Sequence, residues 1–87
     1  MTIPTIHING TKREDLLGAI VNAAVKVNEA IAALREASPN GRDYYPQGSS
    51  VIYQAISEHS DRVGKLTSVY AELLELHNAI EAGGYKR

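Results

Sequence analysis

The chain has 87 residues with no Cys, Phe or Trp, and nine Lys+Arg against ten Asp+Glu leave a formal net charge of -1. That length holds one domain, and the charge balance argues against a dedicated binder of DNA or RNA backbones and against a polybasic membrane clamp. Zero Cys excludes disulfides, and eight Ile, seven Leu and six Val make a modest core, so subunit contacts are the expected remedy.

Met1-Thr2-Ile3-Pro4-Thr5 has neither the basic start nor the apolar stretch of a signal peptide, and no run approaches 18 apolar residues. A soluble cytoplasmic protein is the expectation. Ile6 and Ile8 alternate with Thr5 and His7, which predicts a short strand in an extended arm over residues 1–10, with Pro4 limiting it to an edge. A lone strand has no partner within the chain, so it either packs as an arm or pairs with its copy in another subunit, the second being favoured.

Thr11-Lys12-Arg13-Glu14 has the form of a capping box, and a helix is expected over residues 12–37. Leu17, Ile20, Ala24, Val27, Ile31 and Leu34 fall at steps of 3 and 4 and make one stripe. Beside it runs a second series, Leu16, Ala19, Ala23, Ala30, Ala33 and Ala37, interrupted by Lys26. One partner helix cannot cover both, so the Ala face is either a subunit contact or a semi-exposed run of good helix formers.

The second helix is expected over residues 50–82, capped by Ser49 or Ser50 and stopped by Gly83-Gly84. Its stripe, Ile52, Ile56, His59, Val63, Leu66, Tyr70, Leu73, His77 and Ile80, alternates steps of 4 and 3 throughout. The fold class is therefore mainly all-α: an antiparallel two-helix hairpin with a short N-terminal strand, pairing into a helical-bundle oligomer. Residues 83–87 form a tail, which most often has no fixed structure, although Tyr85 of a neighbour running the opposite way would reach the loop.

Residue types for chemistry are sparse. His59 and His77 lie about 27 Å apart along one helix and no Cys/His cluster exists, so neither a metal nor another cofactor is expected, and the imidazoles read as partly buried and hydrogen-bonded. Glu58-His59-Ser60-Asp61 holds acid, base and hydroxyl in a row, but consecutive helical positions point apart. With no nucleophile elbow and no phosphate-cradling Gly loop, an enzyme is not expected.

The informative stretch is the connection at residues 38–49. A helical hairpin turns in a few residues, and this connection takes about a dozen. Arg42 offers a five-donor fork, Tyr44 and Tyr45 offer rings with hydroxyl tips, and Asn40, Asp43 and Gln47 offer groups that read a polar edge, with Tyr53 one turn into the next helix. These residues either bind a nucleotide-like ligand or a partner, or cap the end of the core.

Ile6-His7-Ile8-Asn9-Gly10-Thr11 and Pro39-Asn40-Gly41-Arg42-Asp43-Tyr44-Tyr45-Pro46-Gln47-Gly48 resemble a family of short proteins encoded by tailed phages and prophages. The resemblance carries no established activity. It implies a setting in the host bacterial cytoplasm, and by analogy a sponge: a non-enzymatic oligomer that counters host defence by sequestering a cyclic nucleotide or cyclic ADP-ribose-type signal. The alternatives are an adaptor or inhibitor acting on a host or phage protein, and a minor component of virion assembly.

Overall fold

The computed structural model describes residues 1–83, so the tail beyond Gly83, with Tyr85, lies outside the described residues. Three helices follow in chain order, α1 (Arg13–Glu36), α2 (Gly41–Tyr44) and α3 (Val51–Glu81), with a 3-10 turn at Tyr45–Gln47 between the last two. The long pair, α1 and α3, is the expected antiparallel hairpin. The α1 stripe from Leu17 to Leu34 is buried or half-buried throughout, as is the α3 stripe from His59 to Ile80. Removing these apolar faces from water is what holds two rods of this length side by side.

Two polar contacts clamp the hairpin, one at each end. His59 Nε2 lies 2.8 Å from the Leu34 carbonyl; a carbonyl only accepts, so Nε2 carries the hydrogen and donates. At the far end Arg13 Nη2 donates to the Glu81 carbonyl at 3.0 Å. Each long helix thus presents a nitrogen donor to a carbonyl in the final turn of the other, where the macrodipole is negative. These pairs also set the register, with Arg13 level with Glu81 and Leu34 level with His59.

That register leaves α3 longer than α1 at the loop end. α1 stops at Glu36, level with the second turn of α3, and residues 51–57 project about 10 Å past it. The stripe changes there. Ile56, expected in the core, is 46% exposed, whereas Ala55 beside it is buried, because the loop and not α1 covers this part of α3.

The strand within residues 1–10 does not form: among the described residues there is no strand, and Ile8, expected to share a side with Ile6, is 97% exposed. A turn closed by the Gly10 N–H on the His7 carbonyl at 3.0 Å ends the arm instead. An isolated extended segment has no ladder to join, and Pro4 contributes no donor. The N-cap of α1 is Lys12 with no side-chain cap bond, so the capping box around Thr11 is not made, and α1 runs Arg13–Glu36 in place of 12–37. The Ser50 side chain likewise makes no cap bond, and α3 begins at Val51.

The molecule is a rod of 62 × 19 × 18 Å with a radius of gyration of 18.9 Å, against about 12 Å for a compact domain of this length. Its buried apolar core among the described residues is Ile20, Ala24, Ile31, Ala55 and Ile80. By length and mean hydropathy, 1.4 over 18 residues, α1 also meets the minimum for crossing a membrane, a test that core helices pass as well.

Candidate functional site

The loop end is built on the projecting first turns of α3. Leaving α1, the chain satisfies that helix's last carbonyls locally: Ala37 N–H bonds the Leu34 carbonyl at 3.0 Å, and the Ser38 hydroxyl donates to the Arg35 carbonyl at 2.6 Å. Asn40 then caps α2, its Oδ1 accepting from the Arg42 backbone N–H at 2.8 Å and from Arg42 Nε at 3.3 Å. The connection at residues 38–49 is therefore a structured one, a helical turn followed by the 3-10 turn that Pro46 fits without loss of a helical donor.

Gly48 closes this substructure at φ 111°, a backbone conformation that side chains with a Cβ avoid. Gly48→Ala is expected to cost about 1 kcal/mol. Gly41→Ala has open space around its Cβ and no positive φ, so it serves as the control with little change. Thermal unfolding of the two variants side by side checks the difference.

The predicted residues divide into two groups. Tyr44 and Gln47 line a cavity of about 390 Å³ together with Val51, Gln54, Ala55 and Glu58 of α3. Arg42, Asp43, Tyr45 and Tyr53 are exposed and do not line it, with Tyr45 and Tyr53 at 78% and 73% exposure. The half-buried Asn40 serves the α2 cap. The guanidinium and the cavity are thus not brought together, and the one carboxylate on the cavity wall is Glu58, to which Gln54 Nε2 donates at 3.4 Å.

The four α3 residues of the cavity went unrecognised in the sequence. Their signal was the i, i+4 spacing of Val51 with Ala55 and of Gln54 with Glu58, which shows a face only once α3 is known to outrun α1. Glu58 and His59 do point apart, one to the cavity and one to the Leu34 carbonyl. His77 is half-buried with Nδ1 3.3 Å from Asn78 Oδ1. Among the described residues no three of His, Asp and Glu converge as a metal site would require.

Fold and loop together define a helical-hairpin protein with a structured, aromatic tip. The chain matches no known protein family, no characterised protein and no solved structure. Its functional reading rests on its own residues and geometry.

Proposed function

We propose that the protein acts by binding alone, and that its loop end docks on a protein partner through Arg42, Tyr45 and Tyr53. The observation that carries this reading is the exposure of two tyrosine rings on helical backbone, Tyr45 in the 3-10 turn that follows the Asn40-capped α2 and Tyr53 in the first turn of α3. Rigid aromatic surface beside an Arg is the composition of interface hot spots, and a preformed support lowers the entropy lost on docking. The cavity beneath, with its Glu58 carboxylate and the Gln47 and Gln54 amides, suits a basic side chain of that partner better than a phosphate.

Affinity capture from a bacterial lysate tests it. The wild-type chain is expected to retain one stoichiometric protein that a Tyr45→Ala/Tyr53→Ala variant of equal melting temperature loses. Equal retention by the variant, or no captured partner, overturns the reading.

A second reading takes the open depression beside Tyr44 and Gln47 as one wall of a small-molecule site. Sequestration of a small anionic nucleotide, as in a phage anti-defence sponge, then needs Arg42 to turn toward Tyr44 and Gln47. A bound ligand raises the melting temperature by mass action. A screen with cyclic dinucleotides and cyclic ADP-ribose isomers supports this reading if one raises the melting temperature and Arg42→Ala abolishes the rise. No shift removes it.

A further inference from the structure

We infer that a second copy of this chain covers the face carrying Val21, Val25 and Leu74, in a two-fold antiparallel arrangement that makes a four-helix bundle. The first ground is area. The chain exposes 6299 Å², whereas a compact monomer of its mass exposes about 5,000 Å². The excess, roughly 1,300 Å² per chain, exceeds the ~800 Å² that each partner buries in a standard stable interface.

Part of that surface is an apolar face that neither long helix covers. Between α1 and α3 runs a groove of about 300 Å³ whose walls include Val21 and Val25 from α1 and Tyr70 and Leu74 from α3. Val21, Val25 and Leu74 are each more than 40% exposed although aliphatic. The groove needs an apolar, elongated occupant, and another such hairpin supplies one.

The second ground is a pair of outer seams. On α1 the positions Glu14, Gly18, Val21, Val25, Asn28, Ala32 and Arg35 advance by 4, 3, 4, 3, 4 and 3, which is a coiled-coil stripe lying next to the one that packs on α3. Its ends carry opposite charges and its middle none. An antiparallel copy brings Glu14 to Arg35 of the partner subunit, with the two-fold axis beside Val25, whereas a parallel copy stacks like charges at both ends.

On α3 the positions Ser60, Gly64, Thr67, Ala71, Leu74 and Asn78 advance by 4, 3, 4, 3 and 4 without a charged residue. Antiparallel pairing about its midpoint, between Thr67 and Ala71, sets Leu74 against Gly64 of the partner subunit, a large side chain against a position where a Cβ meets nothing within 4 Å. The hairpin register, with Ala24 and Tyr70 on opposite walls of the groove, puts the midpoints of both seams at the same height. Charge on α1 and shape on α3 therefore call for the same symmetry axis. The loop ends then point in opposite directions, which leaves the surface proposed above uncovered.

Sedimentation of the full chain is expected to give twice the 9.4 kDa monomer mass. The chain lacks cysteine, so Val25→Cys under mild oxidation is expected to yield a covalent dimer, while Ala33→Cys on the opposite flank does not. Glu14→Arg or Arg35→Glu alone is expected to weaken dimerisation several-fold, and the two together to restore it. Both positions are exposed in the monomer, so folding is spared. A monomer at high micromolar concentration, cross-linking through residue 33 in place of 25, or a charge swap that fails to restore the dimer overturns the proposal.

Discussion

Ile80→Ala should lower the free energy of unfolding by about 3 kcal/mol, the middle of the range for removing a fully buried branched aliphatic. Ile80 is the one large side chain among the described residues with no exposure at all, and it is the penultimate residue of α3, next to the Glu81 whose carbonyl Arg13 clamps. A chain of this length has a total stability of roughly 4 to 13 kcal/mol, so the loss takes a large share of it. Ile56→Ala removes the same atoms from a half-exposed position and should cost less than about 1 kcal/mol. Urea unfolding at fixed protein concentration separates the two, with an unchanged slope showing that only stability moved. Equal losses would mean that the first turns of α3 are covered in solution as thoroughly as its last.

Substitutions at His59 should rank by whether they keep a donor for the Leu34 carbonyl. His59→Ala removes buried volume and the 2.8 Å bond together and is expected to cost about 2–3 kcal/mol. His59→Gln keeps an amide N–H near the Nε2 position and should cost about 1 kcal/mol, within the range of a weakened hydrogen bond. His59→Leu keeps most of the volume but no donor and should fall between them. The Leu34 carbonyl still accepts from the Ala37 N–H, which limits the penalty to less than that of an orphaned buried group. If the Leu variant is as stable as wild type, the imidazole is merely filler and the clamp contributes nothing at this end.

The clamps bear on the proposed docking surface through the loop. His59 fixes where α1 ends relative to α3, and that offset makes the platform on which Tyr44, Gln47 and Glu58 surround a cavity while Tyr45 and Tyr53 face water. A change that slides α1 along α3 by one turn alters the tip without touching it. The His59 variants therefore also report on partner capture, and those that retain the fold but shift the register should bind less.

The two long helices, their antiparallel pairing and the facing stripes from Leu17 to Leu34 and from His59 to Ile80 are legible in the sequence alone, because a stripe at steps of 3 and 4 leaves water by folding on another such stripe. Which side chains stand at the tip is legible there too, since Pro, Gly and Asn between two such stripes must form the turn. The tertiary structure decided the rest. Only the lengths of α1 and α3 measured against each other reveal that α3 overshoots, which sends Ala55 inward and Ile56 outward against the periodic pattern. Only the spatial neighbours of Asn40 assign its carbonyl to capping α2 and leave Arg42 away from the cavity wall. The N-terminal segment reads as a strand by alternation and becomes an irregular arm because a strand is defined by its neighbour, and pairing is a property of three-dimensional arrangement that no local pattern contains.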